Sequence, residues 1–219
     1  MLRLIAFLAL AVSAIAAPDP DPARFAKEID AFDAQDAKSP PKKGGIVFAG
    51  SSSIRMLKLP KVFPGIEALN RGFGGAHISD MNHYLDRVLL RYEPSTVVFY
   101  CGTNDVWAKK PPEQVEEDFN ELRERLFKRS PKAELIILAI RPSPARKSIL
   151  EIERTMNGRF AKIADADPRI TYVPGTADRF IEEDETFDRS LFAKDGLHMS
   201  DKGYEIWKEL ITPLLPEAK

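Results

Sequence analysis

Apolar residues occur along this chain in two alternating arrangements. Short, mostly apolar runs are separated by longer segments in which apolar residues recur every three or four positions. Short apolar runs are typical of strands buried on both faces, and the longer spacing is typical of amphipathic helices. The pattern predicts strands over 45–49, 66–69, 96–101, 134–140 and 170–173. It predicts helices over 24–35, 77–91, 111–128, 149–164 and 202–214.

Strands that alternate with helices predict a parallel sheet covered by helices on both faces. The expected fold class is therefore α/β, a three-layer α/β/α sandwich in a single domain. A hydrophobic content of 44% in 219 residues is enough to build the core of such a domain. In folds of this kind ligands bind at the carboxyl ends of the strands, so the reactive residues are expected there.

The N-terminus is typical of an exported protein. Residues 1–17 combine an early arginine, an apolar run and small residues before a proline-rich stretch, and this predicts a cleaved signal peptide. The mature chain is then expected to be secreted or periplasmic, without stable insertion in a membrane. We predict an N-terminal helix and linker over 18–44 and the main domain over 45–219.

Charge and cysteine content exclude several classes of function. The formal net charge is −1, which gives the chain no electrostatic reason to bind nucleic acid or acidic membranes. Its single cysteine, Cys101, cannot form an internal disulfide bond, so the fold depends on a hydrophobic core. No spacing typical of metal ligands is present, and we expect neither a metal nor an organic cofactor. The sequence does not indicate an oligomeric state.

The tetrapeptide Asp195-Gly196-Leu197-His198 is the first indication of a reaction. A short turn can place a carboxylate against one nitrogen of an imidazole three residues away, which fixes the tautomer and leaves the other nitrogen free as a base. This arrangement is two thirds of a hydrolytic triad. It predicts a serine at the same edge of the sheet.

The segments that follow the predicted strands supply such a serine and further polar groups. In chain order they are Gly50-Ser51-Ser52-Ser53, Asn70-Arg71-Gly72-Phe73-Gly74-Gly75, Gly102-Thr103-Asn104-Asp105 and Arg141-Pro142-Ser143-Pro144. Together with the tetrapeptide they provide a nucleophile, a base, an orienting carboxylate and donors for an oxyanion. This set is complete for acyl transfer.

Four of these blocks resemble those of the SGNH hydrolases, also called the GDSL esterase/lipase family. The resemblance runs in order through Gly50–Ser52, Gly72–Gly75, Gly102–Asp105 and Asp195–His198, and it extends over residues 45–209. It is similar to a bacterial secreted or periplasmic subgroup of that family. The resemblance implies the flavodoxin-like fold of these hydrolases and a carboxylic ester hydrolase activity.

The resemblance also implies roles for individual residues. Ser52 would be the nucleophile, His198 the base and Asp195 the carboxylate that orients the imidazole. The oxyanion hole would consist of the backbone N–H groups of Ser52 and Gly75 with the side-chain amide of Asn104. This chain has a serine at position 51 where the family usually has aspartate.

Other residues keep two interpretations at this point. Ser51 and Ser53 are alternatives to Ser52 as nucleophile, because three consecutive serines are ambiguous by sequence alone. Asp105 is expected to brace its loop. Arg141 and Arg146 are either contacts at the rim for a polar or anionic substrate or ordinary surface residues.

The expected function is hydrolysis of short acyl esters, such as O-acetyl groups on carbohydrate. The sequence contains no long apolar insertion that would form a lid or an acyl tunnel. Two alternatives stay open. One is a lysophospholipase or thioesterase acting on longer acyl chains, and the other is a non-catalytic carbohydrate-binding module with the same fold.

Overall fold

The computed structural model describes residues 19–216, and the predicted signal peptide over 1–17 lies outside this range. Within it, five parallel strands form one sheet in the order β2-β1-β3-β4-β5. They are β1 (Ile46–Gly50), β2 (Ala68–Gly72), β3 (Thr96–Tyr100), β4 (Glu134–Leu138) and β5 (Ile170–Val173).

Helices cover the two faces of this sheet. The first face is covered by α1 (Ala26–Lys38), α4 (Ile78–His83), α5 (Leu85–Val88), α6 (Thr103–Trp107), α7 (Pro112–Arg129) and α8 (Leu150–Asp165). The second face is covered by α2 (Ser52–Met56), α3 (Leu59–Val62) and α10 (Asp201–Ile211), and α9 (Gly175–Asp178) packs beside α10. The predicted three-layer α/β/α sandwich with a parallel sheet is confirmed.

Successive residues of the strands enter opposite cores. In β3, Val97 and Phe99 belong to the core under the first face, whereas Val98 and Tyr100 belong to the core under the second. This is why the central strands read as continuous apolar runs, since both of their faces are buried. Burial of these side chains is the main favourable term in folding.

The second strand lies further along the chain than the hydrophobic pattern predicts. The prediction of 66–69 placed Asn70 and Arg71 after the strand, but both lie within β2, which ends at Gly72. The pairing with β1 fixes this register, with Phe48 opposite Asn70 and Gly50 opposite Gly72. Cross-strand pairing therefore outweighs the polar character of the two residues.

The helix predicted over 77–91 is interrupted. Its apolar face is present, but it consists of α4, α5 and a short 3-10 helix over Leu90–Tyr92. The backbone leaves helical geometry at Tyr84, with φ −99° and ψ 10°. The side chain of Tyr84 donates a hydrogen bond to the carbonyl of Pro22, 3.0 Å away, which ties this break to the N-terminal segment.

The central strands determine where the polar loops meet. Gly50 of β1 lies opposite Tyr100 of β3, so the residues that follow them leave the sheet side by side.

None of the helices within residues 19–216 has both the length and the hydrophobicity needed to cross a bilayer.

Candidate functional site

The turn after β1 is formed by a close approach between two strands. Gly50 has φ +143°, and a Cβ atom there would lie 2.0 Å from the carbonyl oxygen of Tyr100. The same carbonyl accepts a hydrogen bond of 3.0 Å from the backbone N–H of Ser51. Only glycine fits this backbone, and the chain turns there directly into α2, whose first residue is Ser52.

The three consecutive serines have different environments. Ser52 is partly exposed, and its Oγ lies 3.0 Å from Nε2 of His198. Ser51 and Ser53 are buried, with 1% and 4% of their surface exposed. The Oγ of Ser51 makes no hydrogen bond within the described residues. Geometry therefore singles out Ser52 among the three.

Asp195 holds the other side of the His198 imidazole. Its Oδ2 lies 2.6 Å from Nδ1 of His198, and its Oδ1 accepts backbone N–H hydrogen bonds of 2.9 Å from Leu197 and His198. Desolvation acts to raise the pKa of Asp195, but the hydrogen bonds from His198 and Leu197 outweigh it and lower this pKa to about 2. Asp195 is thus a carboxylate at neutral pH. It fixes the imidazole with Nε2 facing Ser52.

Asn104 lies in the first turn of α6, and both ends of its amide are held. Its Nδ2 donates to the carbonyl oxygen of Ala76 at 3.0 Å, and its Oδ1 accepts from Nη2 of Arg146 at 3.0 Å. These two contacts fix the orientation of the amide. One of the two Nδ2 hydrogens remains for another acceptor.

Gly75, the other expected oxyanion donor, lies in an exposed turn after β2 with φ +81°. The hydrogen bond from Asn104 to Ala76 ties the next residue of this turn to α6. The structure thereby places the turn of Gly75 beside Asn104. Ser52 is the first residue of its helix, so no preceding helical turn offers a carbonyl oxygen to its backbone N–H.

Two further polar residues brace these loops. Asn70 donates from Nδ2 to the carbonyl oxygens of Ile54 and Leu57, at 2.6 and 3.0 Å, and so supports the segment carrying Ser52. Asp105 is fully buried and accepts the backbone N–H of Ile78 at 3.1 Å. Burial raises the pKa of Asp105 to about 8.

Arg141 and Arg146 are not ordinary surface residues, so that interpretation was wrong. Arg141 is 3% exposed, and its Nη2 donates to the carbonyl oxygen of Leu197 at 2.8 Å. The guanidinium of Arg146 bonds Asn104 and also donates to Oγ1 of Thr103 at 3.2 Å. Both arginines hold parts of the site. Carbonyl and hydroxyl acceptors make this burial of charge possible.

These residues enclose a cavity of about 10 Å³. It is lined by Ser51, Ser52, Ser53, Tyr100, Thr103, Asn104, Arg141, Arg146, Leu197 and His198. A space of this size accommodates about one water molecule.

Glu153 of α8 is a buried acid beside Thr103, a lining residue of this cavity, and the sequence pattern did not point to it. Its Oε1 accepts a hydrogen bond of 2.9 Å from Thr103. Burial raises the pKa of Glu153 to about 7, against the hydrogen bond from Thr103 and the charges of Arg141 and Arg146. A signal was present in the sequence, since Glu153 lies at helical spacing between Leu150 and Met156 on the buried face of α8.

Glu153→Gln is expected to remove part of the pH dependence of stability. The folded-state pKa of about 7 lies above the ordinary value of 4.5, so the wild type loses stability as the pH rises from about 4.5 to 7. We expect the free energy of unfolding of the wild type, relative to Glu153→Gln, to fall by roughly 3 kcal/mol between pH 4 and pH 8. Urea unfolding at several pH values measures this difference. Parallel pH curves for the two proteins would contradict the assignment.

Residues 19–216 contain no group of three or more His, Cys, Asp or Glu side chains arranged to hold a metal ion. Cys101 is buried, and its Sγ donates to the carbonyl oxygen of Ala76 at 3.3 Å. That the reaction needs no cofactor stays a prediction.

Solved structures with the same architecture come from several bacteria. A Streptococcus pneumonia protein provisionally described as a platelet activating factor is 20% identical and has a TM-score of 0.77, with 89% of this chain and 95% of that chain covered. A protein from Bacteroides fragilis provisionally described as an acylhydrolase is 18% identical with a TM-score of 0.72, over 90% and 97% of the two chains. A GDSL-like lipase from Bacteroides thetaiotaomicron is 22% identical with a TM-score of 0.69, over 89% and 96%. At these identities the likeness shows the fold.

The sequence itself matches a family model. No curated protein matches the chain. The model of the GDSL-like lipase/acylhydrolase family matches residues 56–206, which is more than half of the chain and includes Gly75, Asn104, Asp195 and His198. The match begins after Ser52, so it does not cover the loop that carries the expected nucleophile. The chain belongs to the GDSL-like lipase/acylhydrolase family of hydrolases.

Proposed function

We propose that this hydrolase is a serine esterase that cleaves short acyl esters with a Ser52-His198-Asp195 triad. One observation carries the proposal. The Oγ of Ser52, the imidazole of His198 and the carboxylate of Asp195 form a continuous chain of contacts of 3.0 and 2.6 Å. This is the geometry in which a neutral imidazole takes the proton of a serine hydroxyl.

In the first half of the reaction, Ser52 Oγ attacks the ester carbonyl carbon as His198 Nε2 removes its proton. Asp195 remains ionised and stabilises the imidazolium that forms. The negative charge on the carbonyl oxygen is taken up by the backbone N–H groups of Ser52 and Gly75 and by Nδ2 of Asn104. Each donor of this kind is worth about 10²–10³-fold in kcat. His198 then protonates the leaving alkoxide, and an acyl-Ser52 ester remains.

In the second half, water replaces the alcohol. His198 takes a proton from the water as its oxygen attacks the acyl carbon, and the same donors hold the oxyanion. Collapse of this intermediate returns the proton to Ser52 and releases the carboxylic acid. All of the proton transfers use groups of this chain.

The small cavity supports a short acyl group. The enclosed space beside Ser52, about 10 Å³, offers no tunnel for a long hydrocarbon chain, which favours a short acyl group. An exposed tryptophan, Trp107, lies at the end of α6, and the first turn of the same helix carries Asn104. Aromatic faces stack on the apolar faces of sugars, which favours O-acetyl carbohydrate as the natural substrate class.

A series of p-nitrophenyl esters from acetate to palmitate tests the acyl length. We expect kcat/KM to be highest for acetate and to fall at least tenfold by octanoate, because longer chains do not fit the cavity. A serine-directed fluorophosphonate followed by peptide mass spectrometry should label Ser52. Treatment with an inactive phosphonate of the same shape is the control.

Two outcomes would favour the alternatives. A rate that rises towards palmitate would favour a lysophospholipase or thioesterase. A protein that hydrolyses none of these esters and is not labelled would favour a carbohydrate-binding module.

Export to the periplasm or the medium remains a proposal based on residues 1–17, and comparison of cell fractions with N-terminal sequencing tests it.

A further inference from the structure

Two positive charges lie beside the proposed nucleophile without an acidic partner. Most arginines among the described residues form ion pairs with carboxylates, for example Arg87 and Arg159. Arg141 and Arg146 form none within residues 19–216, although they line the same cavity as Ser52. A cation left unpaired in a substrate cavity suits an anion brought by the substrate.

Arg141 is held in place mainly by neutral groups. Its guanidinium lies against the rings of Phe180 and Phe192, at 5.1 and 5.2 Å from their centroids, and donates to the carbonyl oxygens of Pro142 and Leu197. Its Nε–H is buried and has no acceptor within the described residues. A buried donor without an acceptor is costly, and an anionic ligand would lower this cost.

Arg146 is fixed at the edge of the cavity. Two of its five N–H donors bond Thr103 and Asn104, and its guanidinium stacks on Trp107, with 5.2 Å from Cζ to the ring centroid. Trp107 is 46% exposed, so this pair faces the solvent side of the site. The remaining donors of Arg146 keep the planar geometry that binds carboxylate and phosphate oxygens.

Glu153, a buried acid that acts on these arginines, offsets only part of their charge. Glu153 acts on both of them through space, but burial raises its pKa to about 7, so a large part of it is protonated at neutral pH. Its Oε1 is taken by Thr103. The cavity therefore keeps a net positive charge close to the reacting serine.

We propose that Arg146 and Arg141 form a subsite for an anionic group, a carboxylate or a phosphate, on the alcohol part of the ester. The inference rests on the proposed esterase function. The alcohol part is assigned because Arg146 lies with the exposed Trp107 at the solvent side of the site, where the part of the ester that does not enter the cavity would lie. Together with the exposed ring of Trp107, this subsite fits an acylated acidic sugar.

Matched acetate esters test the subsite. The pairs are 4-acetoxybenzoate with methyl 4-acetoxybenzoate, and 4-acetoxyphenyl phosphate with 4-methoxyphenyl acetate. Each kcat/KM is divided by the rate constant of alkaline hydrolysis, which removes differences in chemical reactivity. We expect the wild type to favour at least one anionic ester over its neutral partner by roughly 10- to 100-fold, the range of a charge-assisted hydrogen bond. Salt should reduce this preference.

The preference should depend on Arg146. Arg146→Gln is expected to reduce the anionic-to-neutral ratio at least tenfold, and Arg146→Lys should retain part of it. The ratio cancels any effect that the substitution has on Asn104 and hence on all esters alike. Arg123→Gln is the matched control, because Arg123 has no carboxylate partner, bonds Asn120 on α7 and does not line the cavity. Its ratio should equal that of the wild type.

Failure of this inference is distinguishable from failure of the esterase proposal. Wild-type hydrolysis of p-nitrophenyl acetate with equal treatment of charged and neutral esters would overturn the subsite alone. Binding of 4-acetoxybenzoate to Ser52→Ala, followed by tryptophan fluorescence, needs no turnover. The subsite is supported, even if no ester is cleaved, when 4-acetoxybenzoate binds at least tenfold more tightly than the methyl ester. This preference should be lost in Ser52→Ala/Arg146→Gln. Equal binding of the two compounds overturns it.

Discussion

Ser52→Ala is expected to reduce the hydrolysis of p-nitrophenyl acetate to a level close to the uncatalysed background. The substitution removes the hydroxyl that lies 3.0 Å from Nε2 of His198 and leaves the proposed oxyanion donors in place. Loss of the serine from a hydrolytic triad lowers kcat about 10⁶-fold. The rate enhancement that remains comes from substrate binding and from the oxyanion hole. Initial rates with purified protein and an inactive preparation as blank measure this loss.

The neighbouring serines supply matched controls for this experiment. Ser51→Ala and Ser53→Ala make the same chemical change within the same loop, but neither hydroxyl bonds His198. We expect both variants to keep kcat/KM within about tenfold of the wild type. Full activity in Ser52→Ala, or a loss confined to Ser51→Ala or Ser53→Ala, would show that another serine is the nucleophile.

A double substitution checks that the residues act as one unit. If Ser52 and His198 belong to the same proton transfer, Ser52→Ala/His198→Ala should be no less active than Ser52→Ala alone. Independent contributions would instead multiply. Circular dichroism and urea unfolding of each variant show that the fold is intact.

The fold was predictable from the sequence because its signal is repeated in every element. Continuous apolar runs such as Thr96–Tyr100 are typical of strands buried on both faces, and most of them are followed by a helical pattern. The short helices α2 and α3 between β1 and β2 were not predicted. The boundaries were less predictable where a strand depends on its neighbours. Arg71 lies within β2 because its buried guanidinium bonds Tyr92 and Asp36, which are distant in sequence.

The candidate site could be found from the sequence as far as it follows the strand ends. Ser52 and Asn104 follow the carboxyl ends of β1 and β3, and parallel strands bring such ends to the same edge of the sheet. Arg141 also follows a predicted strand, but its burial could not be predicted, and Glu153 follows no strand end. Charged residues are usually exposed, and their burial here depends on Leu197, Thr103 and two aromatic rings from other parts of the chain.

Gly50→Ala is expected to destabilise the protein by about 4 kcal/mol or more, the range reached only when a substitution breaks a specific packing feature. Two costs coincide at this residue. The backbone has φ +143°, which L side chains rarely adopt, and a Cβ atom would lie 2.0 Å from the carbonyl oxygen of Tyr100. The main chain of two central strands would have to separate, and neither strand can move without disturbing both cores.

Two other glycines separate these costs. Gly65 has φ +84° with nothing within 4 Å of a Cβ atom, so Gly65→Ala measures the backbone cost alone, about 1 kcal/mol. Gly158 lies in α8 with open space, and Gly158→Ala should stabilise the protein by up to about 1 kcal/mol. Urea unfolding of the three variants gives the differences. If Gly50→Ala costs no more than Gly65→Ala, β1 and β3 are not in close contact at this turn. A larger loss at Gly50 is expected because β1 and β3 approach closely at the turn from which α2 and Ser52 begin.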